Sequence, residues 1–289
     1  MTHRLLRILT LSVFSSLLLV SCIDENRENI PSYVAVDHSI LQVNEGFSGS
    51  ASHRIADVWL YANEDLIGVF ETPVDIPVLD EGLTDFRFKA GIMVNGISDS
   101  RRAYEFYNPF ETEAVLVRDS TIIINPVYTY KDNVTFAWIE DFEDLQVSMV
   151  KTTTSDTAMV ITTNPDEVFE KNASGKIVIT TEDEKDFFEL ISDTSYILPQ
   201  DGSPVVLEMD YNTQSVITVG VFAFDPLAHQ VSVLNLNPTD GEWKKVYVYF
   251  TTAITNYINA DNYKVFIGGY LDEDQDRSEI FIDNIKLLY

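Results

Sequence analysis

The stretch Glu279-Ile280-Phe281-Ile282-Asp283-Asn284-Ile285-Lys286-Leu287, EIFIDNIKL at residues 279–287, decides the fold. Ile280 and Ile282 share one face of an extended strand by period-two alternation, whereas Ile285 and Leu287 have the other parity. Both pairs can reach one core only if an extra residue is inserted between them, so Asp283-Asn284 is a predicted β-bulge. A bulge turns polar side chains and free carbonyls toward one spot, as a cation site or a strained turn requires.

Upstream of this stretch, nearly every segment also reads as strand. Val134-Thr135-Phe136-Ala137-Trp138 opens a series that continues at 158–162, 176–180, 205–211, 216–224, 231–236, 243–251, 263–271 and 279–288. Eight or nine antiparallel strands suit a jelly roll, here residues 134–289. The segment 182–191, with Phe187, Phe188 and Ile191 on one side, is its single helix candidate. Before Lys131-Asp132-Asn133 lies an earlier set at 55–61, 66–70, 75–79, 86–94, 114–117 and 121–130, with polar turns about every ten residues. That spacing predicts a small immunoglobulin-like sandwich over residues 37–130. The fold class is thus all-β, one sandwich following another.

The pair Gly241-Glu242-Trp243-Lys244-Lys245-Val246-Tyr247-Val248 and 279–287 resembles the closing strands of carbohydrate-binding-module and galactose-binding-like jelly rolls. Such modules include sugar binders and plain structural domains alike. The resemblance implies a structural calcium where the first and last strands meet, with Asp141 or Glu143 and Asp283 as ligands. The alternative is that these carboxylates are acidic caps on edge strands. The segments 56–79 and 90–107 resemble a lipoprotein domain of Bacteroidota, which implies no particular activity.

Sugar binding needs aromatic faces for the apolar side of a pyranose and polar groups for its hydroxyls. If Leu207, Met209, Val221, Val246, Val248, Val265 and Ile267 face the core, alternation turns Glu208, Asp210, Phe222, Tyr247, Tyr249, Phe266 and Tyr270 outward. These seven are the candidate glycan-binding residues if their strands share a sheet. They are not if the strands divide between sheets, or if the other domain covers them.

An enzyme should show a nucleophile or a poised acid and base. His38, His53 and His229 fall in no paired metal-ligand spacing, so the sequence points to binding rather than catalysis. Arg101-Arg102 is a basic pair beside Tyr104, Phe106 and Tyr107, suited to a local salt bridge or to clamping a neighbour.

Residues 1–21 have a basic head, an apolar run too short and serine-rich to span a bilayer, and a small residue before Cys22, the layout of a secretory signal. Leu19-Val20-Ser21-Cys22 resembles a lipobox, which implies a diacylglycerol on Cys22, cleavage before it and an outer-membrane lipoprotein. A sole cysteine has no internal disulfide partner, although an ordinary signal can carry one by chance. Residues 22–36 read as a tether whose acidic start fits either surface export or a solvated linker, leaving the leaflet open. With a formal charge of −27, the chain repels nucleic acid and anionic headgroups. The expected partners are therefore the membrane, through the anchor, and a glycan or an envelope protein.

Overall fold

Asn63 and Glu64 both take positive φ, 47° and 72°, in a mirror-image turn that matches strand twist, so their flanks close into a two-residue hairpin. That hairpin belongs to the first of two β-sandwiches in a computed structural model that describes residues 30–289 apart from Leu145. The signal, Cys22 and the start of the tether lie outside the described residues.

The first sandwich uses β1 (Ser32–Val36), β2 (Ile40–Leu41), β3 (Asp57–Ala62), β4 (Asp65–Glu71), β5 (Val74–Val78), β6 (Gly82–Met93), β7 (Arg101–Ala103), β8 (Phe110–Leu116), β9 (Thr121–Ile123) and β10 (Val127–Tyr128), with a short helix α1 (Glu45–Ser48). One sheet runs β4-β3-β6, and β7 and β8 share the other edge of β6. It packs on a sheet β5-β1-β9, in which β1 is antiparallel to β5 and parallel to β9. The tether predicted through residue 36 is shorter than expected, because Ser32–Val36 is a central strand whose Val34 and Val36 are fully buried. The run expected over 121–130 splits in two at Pro126, which has no N–H to give to a ladder.

The second sandwich uses β11 (Phe136–Glu140), β12 (Met149–Lys151), β13 (Val160–Thr162), β14 (Ser174–Thr180), β15 (Phe187–Ser192), β16 (Val206–Thr213), β17 (Ile217–Asp225), β18 (Leu227–Leu236), β19 (Lys244–Tyr249), β20 (Asn262–Tyr270) and β21 (Arg277–Leu288), with α2 (Thr251–Asn256) between β19 and β20. Its sheets are β13-β14-β21-β16-β19, with β11 also on β21, and β12-β15-β20-β17-β18. The chain crosses between these two sheets repeatedly, as a jelly roll does.

The bulge forms as read. Ile280, Ile282, Ile285 and Leu287 are all fully buried, and pairing with β16 passes from Asp210↔Asp283 to Glu208↔Lys286, which leaves one extra residue on β21. Asn284 absorbs it at φ 48°. There β21 also changes neighbour, from β14 through Ile282 to β11 from Ile285 onward.

The helix expected over 182–191 is not formed beyond one 3-10 turn at Glu182–Glu184. Phe188 and Leu190 enter the core while Phe187, Glu189 and Ile191 face out, because β15 is held between β12 and β20. Sheet pairing overrode a pattern compatible with both periods. No helix among the described residues is long and apolar enough to cross a membrane.

Candidate functional site

β20 runs down the middle of the sheet β12-β15-β20-β17-β18. Its Val265 and Ile267 enter the core, so Lys264, Phe266, Gly268 and Tyr270 lie on the outer face. Register then fixes what surrounds them. Phe187 lies opposite Tyr270, Glu189 and Thr218 flank Gly268, Ile191 and Gly220 flank Phe266, and Phe222 lies opposite Lys264.

Two aromatic pairs result, Phe187 with Tyr270 at 4.5 Å between ring centroids and Phe222 with Phe266 at 5.4 Å. They sit about 13 Å apart along the strand, four residues at the extended rise. Between them is a row floored by Gly268, where an added Cβ would meet the Phe188 carbonyl oxygen at 3.0 Å, flanked by Glu189 and by Thr218, which donates to Asn235 Oδ1 at 2.9 Å. Gln230 Nε2 donates to Glu189 Oε2 at 2.6 Å although β20 and β17 separate their strands. Three strand spacings are about 14 Å on a flat sheet. The bond therefore requires a face dished toward solvent. Tyr270 is 67% exposed, Phe187 and Phe222 are half-buried, and Phe266 is covered by its neighbours.

No protein-family model and no curated protein matches the chain. Solved structures similar to it include the xylan-binding domain CBM22-2 from Paenibacillus barcinonensis, 14% identical with a TM-score of 0.37, covering 52% of this chain and 98% of that one. The module TmCBM61, in complex with β-1,4-galactotriose, is 13% identical with a TM-score of 0.34, covering 51% of this chain and 92% of that one. The K3 cleaved adhesin domain of Lys-gingipain from Porphyromonas gingivalis is 14% identical with a TM-score of 0.36, covering 54% of this chain and 99% of that one.

Of the seven candidate glycan residues, only Phe222, Phe266 and Tyr270 lie on the dished face. Glu208, Asp210, Tyr247 and Tyr249 belong to β16 and β19 in the opposite sheet; the first sandwich covers Glu208, Tyr247 and Tyr249, and Asp210 is buried against Lys245 and Asn284. Tyr104 and Tyr130 donate to Glu208 at 2.7 and 2.9 Å, and Lys286 Nζ donates to the Ser50 carbonyl at 2.6 Å and to the Tyr130 hydroxyl at 3.2 Å. Arg54 N–H donates to the Tyr247 hydroxyl at 3.0 Å, and Tyr104 packs edge-on to that ring at 5.0 Å. The 93–97 turn adds to the free edge of β19: Asn95 N–H donates to the Tyr247 carbonyl and Tyr249 N–H to Asn95 Oδ1, both at 2.9 Å. Lys245 Nζ stands 3.3 Å from Asp210 Oδ2. Burial, reinforced by the Glu208 carboxylate, pushes the Tyr104 and Tyr130 hydroxyls up, so both remain donors. This half of the expected site is an interdomain joint.

The basic pair divides too. Arg101 pairs locally with Asp57, 3.1 Å away, and with Glu71, while Arg102 lies over the Tyr249 ring of the second sandwich at 5.1 Å.

The expected calcium ligands do not converge. Asp141 caps the Glu143 N–H at 3.3 Å and faces Lys171 at 3.7 Å, and Glu143 accepts the Asn172 and Ala173 N–H groups at 3.0 and 3.1 Å. Asp283 accepts from Ser174 Oγ at 2.6 Å and from Asn284 N–H at 2.8 Å. Protein donors occupy the oxygens a cation would need, and among the described residues no three His, Cys, Asp or Glu side chains are grouped to hold a metal. The bulge itself is a turn with Asn284 in the left-handed region at φ 48°. Burial pushes the Asp283 carboxyl up to about 7 and brings the nearby Lys286 ammonium down to about 8.

Sequence reasoning missed Phe187, Glu189 and Gln230. The first two were hidden by the helical reading of 182–191. Gln230 could be placed only once β18 was known to face β15 across the dish.

Proposed function

We propose that the protein is a lipid-anchored binding protein of the bacterial outer membrane, that its first sandwich is an immunoglobulin-like spacer, and that the dished face of the jelly roll binds a glycan. The anchoring rests on Leu19-Val20-Ser21-Cys22. The glycan reading is carried by one observation: two aromatic pairs bracket a glycine-floored row that holds a carboxylate, an amide and a hydroxyl. Rings offer an apolar surface to the C–H face of a sugar while the polar row meets its hydroxyls. The test is a glycan array probed with the soluble chain lacking its signal, beside a Phe222→Ala, Tyr270→Ala double variant. Binding that the folded variant loses supports the face; silence across xylose-, galactose-, glucose- and mannose-based oligosaccharides overturns it.

A second reading, a structural or adhesion subunit that docks an envelope protein, has its own observation. Leu83 and Val115 lie directly opposite each other on β6 and β8, 66% and 59% exposed, with Val117 at 58% beyond them. Pull-down from envelope extracts that a Leu83→Lys, Val115→Lys variant abolishes would favour that reading.

A further inference from the structure

We propose that the cleft between the two sandwiches is a second binding site, built for a small neutral saccharide and separate from the dished face. It encloses about 620 Å³ where the edges of β18 and β19 meet the first sandwich, within the 300–1,000 Å³ of ordinary small-ligand sites. Its walls are fixed in advance. Asn95 is pinned by the Tyr249 N–H, and Tyr249 is held between the Arg102 guanidinium and Glu105 Oε2, to which its hydroxyl donates at 2.8 Å.

The polar groups on those walls are under-used by the protein. Glu105 Oε1 is buried and accepts no hydrogen bond among the described residues, holding only an ion pair with Arg102 at 3.5 Å. A buried acceptor held by a long ion pair alone gains from a hydrogen-bond donor that reaches it. The Arg102 guanidinium makes that ion pair and the ring contact but donates no hydrogen bond among the described residues, where the exposed Asn256 and Ser232 side chains have no partner either. The cleft therefore presents spare donors and spare acceptors together, beside an apolar wall of Val94, Val231 and Pro204. A ligand that answers both carries hydroxyl groups, which donate and accept, around an apolar ring face. Charge selects against an anion: Arg102 is already balanced by Glu105, and the chain as a whole stands at −27.

The test uses the purified protein and defined probes: glucose, galactose, xylose and mannose, their β-linked disaccharides, and galacturonate as the anionic control. Protein-observed NMR should show a neutral sugar shifting the side-chain amides of Asn95 and Asn256 at millimolar concentrations. Ser232→Trp adds a ring at an exposed position lining the cleft and should weaken that binding at least tenfold, as should Arg102→Ala, with the backbone spectrum otherwise preserved. The Phe222→Ala, Tyr270→Ala variant should leave it unchanged, which separates this site from the dished face. Shifts confined to the dished face, binding that survives Ser232→Trp in a folded protein, binding of galacturonate alone, or no shift with any probe would each overturn the proposal.

Discussion

The two outer faces of the jelly roll carry similar side chains and have opposite fates. On β16 and β19, Glu208, Asp210, Tyr247 and Tyr249 alternate with core residues; on β20 and β17, Phe266, Tyr270 and Phe222 do the same. The first set is sealed under the first sandwich, with Tyr247 and Glu208 at 1% and 0% exposure, while Tyr270 stands 67% exposed. Rings and carboxylates on an outward strand face do not by themselves tell whether the face is covered. On the first face that depends on where a distant turn lands, here residues 93–97 on the edge of β19.

If the covered face is a joint, removing its buried cation should have the largest effect on the molecule. Lys286→Ala removes the donor to the Ser50 carbonyl and to the Tyr130 hydroxyl and leaves that carbonyl unpaired. Leaving a buried acceptor unsatisfied costs about 1–3 kcal/mol. Urea denaturation at pH 9, above the folded-state value of Lys286, should show that loss, and Lys286→Met, which keeps the packing but not the donor, should show it too. An unchanged midpoint for Lys286→Ala would mean that the joint contributes little.

The covered sheet carries a pH dependence through Asp283, bonded to Ser174 and Asn284 at the bulge, and through Lys286 at the joint. Folded Asp283 keeps its proton to about pH 7, whereas the unfolded chain loses it near 3.8, so between these values the folded form holds the extra proton and stability falls as pH rises. Lys286 works in the mirror sense. Its folded value of about 8 lies below the ordinary 10.5, so between them the unfolded chain holds the extra proton and stability rises with pH. These two groups together give a minimum near pH 7–8. Asp283→Asn should remove the acidic limb, stabilising the protein at pH 8 by about 1 kcal/mol or more and leaving it unchanged near pH 4. Thermal melts across that range decide it.

Fold and site were legible to different degrees for a physical reason. The bulge at Asp283-Asn284 could be read from parity alone, because four isoleucine and leucine side chains had to share one core. The hairpin at Asn63-Glu64 was marked by the polar connection between two β-rich runs. Those signals are local. The division of the seven candidate residues between two sheets was not legible, since alternation tells which side of a strand a residue takes but not which sheet the strand joins. Phe187 and Glu189 were lost where five residues, Phe-Phe-Glu-Leu-Ile, fit both periods.

The smallest changes separate the faces most sharply. Tyr247→Phe removes one hydroxyl oxygen and leaves the Arg54 N–H without its acceptor, a loss of about 1 kcal/mol with no effect on glycan capture. Tyr270→Ala touches a ring that lies mostly in solvent, so stability should change by no more than about 0.5 kcal/mol, yet glycan binding should weaken at least tenfold, equivalent to about 1.4 kcal/mol. The two variants thus form a crossed pair, one reporting on the joint and the other on the face. If Tyr270→Ala binds as the wild type does while Tyr247→Phe binds less, the covered face reaches the ligand after all. The first sandwich would then have to lift from β19 before capture, and Asn95 N–H, bonded to the Tyr247 carbonyl, should lose its hydrogen-exchange protection in step with binding.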